Sequence, residues 1–232
     1  MREWNVFYKQ FITYNGYKTV LNGLLATVEI AVLGLIIGVL IGTIIAVVKV
    51  MPKYKIVPKI LEKICDVYVA FFRGTPMVVQ LLIGYFVLMP SLGIVMDGVY
   101  VAIIIFGLNS GAYVSEIMRS GIQSVDAGQL EAGRAVGLSF WTAMLKIVIP
   151  QSIKNILPTL GNEFIVLIKE TSVVSFIAVT DVTKAFRAIG DANYEYIIPY
   201  LTLALVYLVI VLLITYLIKI MERRLKKNER GK

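Results

Sequence analysis

The chain has 232 residues, of which 58% are hydrophobic and 16% are charged, and its formal net charge is +8. So apolar a composition is typical of an integral membrane protein and excludes an ordinary soluble domain. A single cysteine, Cys65, excludes an internal disulfide, and the absence of histidine removes a common zinc ligand and the usual general base. The positive charges gather in clusters that flank apolar runs, which indicates the positive-inside pattern of membrane proteins rather than nucleic-acid binding.

Residues 1–18 mix six aromatic side chains with scattered charges. A cleavable signal peptide needs a basic start and an uninterrupted apolar core, and this segment has neither. Aromatic rings favour the headgroup layer of a bilayer. We therefore predict an amphipathic segment at the outer membrane interface over residues 1–20.

The first apolar run, residues 24–48, is long enough to cross a hydrocarbon core of roughly 30 Å at about 1.5 Å per residue. Gly34, Gly38 and Gly42 recur every four residues and share one helix face. Small side chains let another helix approach closely, so we predict helix packing on this face. A ligand groove on the same face is the alternative.

A basic loop over residues 50–63 precedes the second predicted span, residues 65–89, which Arg73, Gly74 and Pro76 interrupt. Gly74 and Pro76 predict a helix break that frees backbone groups. Arg73 falls near mid-membrane, where a guanidinium needs an anionic or polar partner or a wet cavity. The alternative is a structural arginine bonded to carbonyls of a neighbouring helix.

Residues 90–97 carry no lysine or arginine and predict a short outer loop. The third span, residues 98–118, is apolar until polar residues near its end, and Arg119 marks the inner face. Glu116 and Arg119 lie three residues apart on one helix face. We predict that they pair at the inner interface rather than bind a ligand.

The next stretch, residues 128–150, carries glutamine, glutamate, arginine and lysine without evident partners. Hydrocarbon disfavours such groups, so we place this stretch in water at a membrane face. Good helix formers over residues 129–136, followed by Gly137, predict a short helix and then a turn. A helix in that position can meet a soluble protein.

This stretch closely resembles the cytoplasmic loop of ABC importer permeases. The family pattern is Glu-Ala-Ala, three residues, Gly, nine residues, Ile, one residue, Leu-Pro. The positions that match it are Glu131, Ala132, Gly137, Ile147 and Pro150, whereas Gly133 and Ile149 depart from it. The resemblance implies a coupling helix at about residues 128–138 that contacts an ATP-hydrolysing subunit through Glu131, Ala132, Gly133 and Gly137. An ordinary cytoplasmic loop helix is the alternative.

The fourth predicted span is weak by hydropathy, because Lys154, Asn155, Asn162 and Glu163 precede its apolar run, residues 164–168. A lipid-facing helix would not carry these groups, so we predict that it lines the interior of the bundle. Glu163 lies nine residues beyond Lys154, well inside the bilayer. A carboxylate there is the candidate for attracting a cationic side chain.

The rival account of Glu163 is a pairing with Arg73 or Lys169 that serves assembly alone. Beyond this span, residues 173–179 are too short to cross the membrane. Thr180 or Asp181 is predicted to cap a short helix through Ile189, in an exterior or re-entrant excursion that forms part of a gate.

The last predicted span, residues 197–220, precedes a basic cytoplasmic tail, residues 223–232. The fold class is therefore an all-α integral membrane protein with five transmembrane helices, in which residues 21–222 form the membrane domain. The lysine-rich loops place the N-terminus outside and the C-terminus inside.

Two further runs resemble the polar amino acid branch of the same family: Arg73-Gly-Thr-Pro and Gly111-Ala-Tyr-Val-Ser-Glu116. The resemblance implies the type I ABC importer permease fold and an importer for polar amino acids in a bacterial cytoplasmic membrane. It implies substrate contacts at Arg73, Thr75, Asn162 and Glu163. Arg73 or half-helix N-termini would meet the α-carboxylate. Glu163 would meet the α-ammonium or a basic side chain, which favours arginine, lysine or histidine, with glutamine next.

No Gly-x-x-x-x-Gly-Lys-Ser/Thr phosphate loop occurs in the sequence. We therefore expect no cofactor and no ATPase site on this chain, with ATP and Mg on a partner subunit. The implied partners are an ABC ATPase dimer, a second permease copy or homologue, an extracytoplasmic amino-acid-binding protein and membrane lipid. A gradient-driven secondary transporter or channel would show two symmetric halves, and we find no internal repeat. A membrane enzyme would need a nucleophile and base at recognisable spacing, which the sequence lacks.

Overall fold

In the computed structural model, residues 2–230 have a described backbone and residues 3–225 have described side chains. This part of the chain is helical and contains no strand. The helices are α1 (Arg2–Tyr8), α2 (Gly16–Val50), α3 (Ile56–Gly74), α4 (Met77–Ile83), α5 (Met89–Ser91), α6 (Gly98–Gln123), α7 (Ala127–Ala135), α8 (Phe140–Ala143), α9 (Ile149–Glu170), α10 (Val182–Asp191) and α11 (Ile197–Arg230). Most side chains of the predicted basic tail, from residue 226 onward, lie outside the described residues.

Three helices of the described chain are long and apolar enough to cross a membrane: α2, α6 and the part of α11 from Ile197–Leu225. The pair formed by Ile56–Gly74 and Met77–Ser91 is also apolar, but it bends by 106° and is one broken span or a re-entrant loop. The helix α9 has 22 residues, enough for about 33 Å at 1.5 Å per residue. Its polar residues keep it out of the apolar set, so at most four of the five predicted crossings are apolar helices of the described chain.

Two helices extend beyond the predicted spans. The helix that contains the first span begins at Gly16, ahead of the apolar run that starts near residue 24, because Asn15 adopts a left-handed conformation with φ of 59° and the helix starts directly after it. The basic loop covers only residues 51–55, and Lys59 and Lys63 lie on α3. Pro58 does not delay that helix, since a proline in the first turn removes an N–H that has no helical partner.

The glycine face of α2 packs against α6. An added Cβ would lie 3.1 Å from Phe106 Cβ at Gly34, 2.7 Å from Ser110 Cβ at Gly38, and closer still to α6 at Gly42. Real Cβ atoms essentially never approach within 3.0 Å, so Gly38 and Gly42 allow an approach that a larger residue would prevent, while the contact at Gly34 is tight. The predicted helix packing is confirmed, and the alternative of a ligand groove on this face is wrong.

The N-terminal segment is anchored to the other end of the chain. Phe7 is buried, and Phe11 stacks on Phe186 of α10 with ring centroids 6.3 Å apart. Asp181 accepts hydrogen bonds from the backbone N–H groups of Thr183 and Lys184, each at 2.9 Å, which confirms the predicted cap of this short helix. The interfacial position of the segment stays a prediction.

Candidate functional site

A polar groove runs between α6 and α9. On α9, Asn155, Thr159 and Glu163 recur every four residues and therefore share one face. The groove contains a cavity of about 430 Å³. Its lining residues are Arg73, Tyr113, Glu116, Ile117, Ser120, Gly121, Ser124, Asn155 and Thr159.

Two hydrogen bonds join the walls of this groove. Ser110 Oγ donates to Glu163 Oε1 at 3.0 Å, and Asn155 Nδ2 donates to Ser124 Oγ at 2.7 Å. Asn155 and Glu163 are eight residues apart, which is about 12 Å along the helix axis. The groove is thus a polar column that extends from the middle of α9 toward its start.

Glu163 is buried, with 8% of its surface exposed. Among the described residues, neither Arg73 nor Lys169 forms an ion pair with it, so the predicted assembly pairing is wrong. Arg73 instead lies beside Glu116, near the inner end of α6. The hydroxyl of Ser110 satisfies one oxygen of Glu163 without neutralising its charge.

Arg73 lies at the wall of the groove cavity. Its Nη1 is 3.8 Å from Glu116 Oε2, its Cζ lies 5.5 Å from the centroid of the Tyr113 ring, and its side chain is 46% exposed. The predicted need for an anionic or polar partner or a wet cavity is met, because Arg73 lies beside Glu116 and lines the groove cavity. In the described chain no carbonyl accepts a hydrogen bond from Arg73, so the structural-arginine alternative is wrong.

Glu116 binds several cations at once. Arg119 Nη2 lies 2.7 Å from Oε2 and Lys49 Nζ lies 3.0 Å from Oε1, which confirms the predicted Glu116–Arg119 pair. Lys49 also pairs with Asp66 at 2.9 Å. The sequence did not reveal Lys49 as a partner, although its place in the last turn of α2 marks it as an inner-face residue.

The break between α3 and α4 is held by a buried amide network. Gln80 Nε2 donates to the carbonyl of Phe72 at 2.9 Å and to Thr75 Oγ1 at 2.8 Å. Asn109 Nδ2 donates to Gln80 Oε1 at 2.9 Å. These side chains satisfy backbone groups that the break frees, as the membrane requires. Sequence reasoning missed Gln80 and Asn109, each a lone amide within an apolar run.

Three of the four predicted substrate contacts, Thr75, Asn162 and Glu163, do not line the cavity. Thr75 donates to the carbonyl of Phe71 at 2.8 Å and belongs to the helix break. Asn162 is exposed and does not line the groove cavity. The structure therefore places Arg73 beside the turns of α9 that carry Asn155 and Thr159, and Glu163 lies one turn beyond Thr159.

The predicted coupling helix forms α7. Asp126 caps it by accepting a hydrogen bond from the backbone N–H of Gly128 at 2.7 Å, and Gly137 ends it with φ of +90°. Glu131 and Ala132 are exposed, whereas Gly133 is buried. An added Cβ at Gly133 would lie 2.8 Å from Ile147 Cδ1, so this glycine seats the helix on the segment that follows it.

One side-chain contact links this helix to the groove. Gln151 Nε2 on α9 donates to Gln129 Oε1 on α7 at 3.4 Å. Ser124, which closes the groove with Asn155, lies only two residues before the cap of α7. A displacement of α7 would therefore act directly on both walls of the groove.

Residues 34–227 match the family described as binding-protein-dependent transport system inner membrane component. The chain belongs to this family. The fold and the helix exposed between the third and fourth spans agree with a multi-pass inner-membrane permease, so the resemblance drawn from residues 128–150 is confirmed.

Individual relatives and solved structures extend the match. The arginine transport system permease protein ArtQ of Bacillus subtilis is 43% identical over 166 residues, covering 72% of this chain and 76% of that protein. The putative glutamine transport system permease protein GlnP of Rickettsia bellii is 40% identical over 167 residues, covering 72% and 77%.

Among solved structures, an amino acid ABC transporter crystallised with histidines is 38% identical with a TM-score of 0.84, covering 94% of this chain and 98% of that one. The inward-facing MetNI methionine ABC transporter, 17% identical, has a TM-score of 0.76 and covers 89% and 96%. At that identity the second likeness supports the fold alone. Together these similarities show the type I ABC importer permease fold.

Proposed function

We propose that this chain forms the translocation path of an ATP-driven importer for a polar amino acid with a cationic side chain. The observation that carries the proposal is Glu163, a buried carboxyl group one turn beyond Thr159 of the groove lining, whose hydrogen-bond partner is the uncharged hydroxyl of Ser110. A cationic group that reached Glu163 would stabilise its carboxylate form in a poorly hydrated setting, where charge pairing is strong.

The groove offers a second, complementary charge. Arg73 shares the cavity with Thr159, and Glu163 lies one turn beyond Thr159, about 6 Å further along the helix axis. An extended basic amino acid has its carboxylate and its side-chain cation at opposite ends. Arg73 would bind the carboxylate through charge-assisted hydrogen bonds, and Glu163 the side chain. Thr75 and Asn162 are proposed as minor contacts in other states of the path.

The names of the relatives support a polar amino acid as the substrate, but they differ in whether its side chain is charged. ArtQ is named for arginine and GlnP for glutamine, and the similar crystal structure contains histidines. Glutamine is therefore the second candidate, in which the amide would donate a hydrogen bond to Glu163. The alternative of a gradient-driven carrier is not favoured, because the chain belongs to a binding-protein-dependent family.

The energy source is proposed to be an ABC ATPase dimer that binds ATP and Mg. Its contact would be the outward side of α7, where Glu131 and Ala132 are exposed, while Gly133 and Gly137 fix the shape of that helix. Motion of α7 would reach α9 through Gln129 and Gln151. This chain would need no ATPase site of its own.

The remaining partners are proposed from the exposed surfaces. Only 6% of the apolar window of α11 is buried, so lipid or a second permease copy is expected to cover it. An extracytoplasmic amino-acid-binding protein would deliver the substrate at the outer ends of the helices. The lysines at the start of α3 support an inside position for that end, with the N-terminus outside and the C-terminus inside.

Reconstitution in liposomes tests the function. The permease is combined with its ATPase and binding protein, and the uptake of labelled arginine, lysine and glutamine is measured with ATP inside the vesicles. The variant Glu163→Gln should lower arginine and lysine uptake at limiting substrate by about 30-fold or more, since loss of one buried charge partner costs about 2 kcal/mol or more.

The matched control is Glu29→Gln, which also removes a carboxylate from a membrane helix but at an exposed position outside the groove. It should leave uptake unchanged. Equal uptake of arginine and lysine by Glu163→Gln and the unmodified permease would refute the cationic substrate. Uptake of all three amino acids without ATP would refute the ATP-driven importer.

A further inference from the structure

Glu116 stands between two cavities. It lines the groove cavity together with Arg73, and it also lines a second, polar cavity of about 420 Å³ together with Lys49, Asp66 and Arg119. Its side chain is only 20% exposed. Glu116 therefore lies between the groove and the charged side chains at the inner helix ends, and it connects the two.

Both oxygens of Glu116 have closer partners than Arg73. Lys49 lies 3.0 Å from Oε1 and Arg119 lies 2.7 Å from Oε2, whereas Arg73 is 3.8 Å away. With Asp66, the cluster contains three positive and two negative side chains. One positive charge is left over, and Arg73 is the cation of this cluster that faces the groove cavity.

Arg73 is held in place without being neutralised. The ring of Tyr113 lies 5.5 Å from its Cζ, which favours a cation over the ring face. Glu116 attracts the guanidinium from the side, but Lys49 and Arg119 already compensate its charge. A guanidinium in this position keeps donors for a ligand carboxylate, which it can bind with two parallel hydrogen bonds.

We propose that Glu116 is a positioning residue for substrate recognition. Together with Tyr113 it fixes the Arg73 guanidinium at the groove wall, so that Arg73 receives the α-carboxylate of the substrate while Glu116 does not touch the substrate. This inference rests on the proposed amino acid substrate. It adds that selection for a carboxylate depends on a residue that the substrate does not contact.

The test compares amino acids with their decarboxylated amines. Equilibrium binding of labelled L-arginine and agmatine is measured on the detergent-solubilised permease–ATPase complex without binding protein, so that the permease alone selects the ligand. Glu116→Gln should weaken L-arginine binding about 2- to 5-fold, as expected for a partly exposed ion pair. Agmatine binding should change less than the measurement error, because agmatine has no carboxylate for Arg73.

Tyr113 provides a second pair of variants in case Glu116→Gln does not fold. Tyr113→Leu removes the ring beneath Arg73 and should weaken L-arginine binding selectively, whereas Tyr113→Phe keeps the ring and should bind both ligands normally. The matched control is Glu62→Gln, which removes a carboxylate that pairs with Lys53 and lines only the second cavity. It should leave both affinities unchanged.

Equal loss of L-arginine and agmatine binding in Glu116→Gln and Tyr113→Leu would overturn the positioning role, and so would unchanged binding of both. The same comparison with lysine and cadaverine, and with glutamine and 4-aminobutanamide, separates this result from the substrate question. If only glutamine and 4-aminobutanamide bind, the proposal of a cationic substrate is refuted. The comparison of these two ligands still tests whether Glu116 positions Arg73.

Discussion

Replacing the glycines of α2 by alanine measures how tightly this helix packs against α6. At Gly42 the added Cβ would lie 2.6 Å from Val114 Cγ1 and 2.8 Å from the backbone nitrogen of Ser115. At Gly38 its nearest neighbour is the Ser110 side chain at 2.7 Å, and at Gly34 it is Phe106 Cβ at 3.1 Å. Carbon atoms in favourable contact are about 3.5–4.0 Å apart, so an alanine at any of the three sites would be overpacked, most severely at Gly42.

The expected loss of stability follows from two opposing terms. Overpacking a helix interface costs about 1–3 kcal/mol, and replacing a helical glycine by alanine returns about 1 kcal/mol of backbone entropy. Gly34→Ala should therefore be nearly neutral, because its neighbour is least crowded. Gly42→Ala should lose about 1–2 kcal/mol, since a backbone nitrogen cannot rotate away, and Gly38→Ala should fall between them.

The assay heats the purified permease–ATPase complex in detergent and measures the monodisperse fraction by size-exclusion chromatography. The apparent Tm should fall in the order Gly34→Ala, Gly38→Ala, Gly42→Ala. Gly74→Ala is the control, since no atom lies within 4 Å of its added Cβ. Equal shifts at the three sites, or the largest shift at Gly34, would refute the packing account.

Three further substitutions have defined outcomes. Asn109→Leu should lower the apparent Tm, because Gln80 Oε1 and the Phe72 carbonyl lose hydrogen-bond donors at 2.9 and 3.2 Å. Each hydrogen bond lost in a membrane costs about 0.6 kcal/mol. An unchanged Tm would contradict this expectation. Asp181→Ala should cost about 0.5–2 kcal/mol by removing the cap of α10, with Asp181→Asn as the milder control, and equal Tm values for both would contradict the capping role. Asn155→Ala should raise ATP hydrolysis without substrate, measured by phosphate release, because it removes the hydrogen bond that closes the groove; a basal rate equal to that of the unmodified complex contradicts that role.

Helix breaks and helix ends set by glycine or proline were the most predictable parts of the fold. Gly74 and Pro76 predicted the break after α3, and Gly137 predicted the end of α7, because each effect depends on the residue's own backbone geometry. The glycine spacing of α2 predicted a packing face but not its partner. That partner, α6, is fixed by long-range packing that no local pattern contains.

The candidate site was predictable only in part. Arg73 and Glu163 stood out because charges in apolar spans are rare and need an explanation. Their partners, Ser110 and Tyr113, did not stand out, because serine and tyrosine are common within an apolar helix. The alternative pairing of Glu163 with Arg73 does not form, because the broken helix α3 directs Arg73 toward Glu116, and the direction of a helix at a break is set by tertiary contacts.

The two interfaces of α6 differ in a way that identifies the moving part. Its contact with α2 is an apolar seam in which the glycines exclude any gap, and interfaces of that kind shift only as a unit. Its contact with α9 includes one close glycine contact, Gly121 against Ile156, but it also encloses a cavity and carries hydrogen bonds at Ser110 and Ser124. Breaking two such bonds in a membrane costs on the order of 1 kcal/mol, far less than separating a close-packed seam. Opening of the groove is therefore expected to move α9, which α7 contacts, relative to a rigid pair formed by α2 and α6.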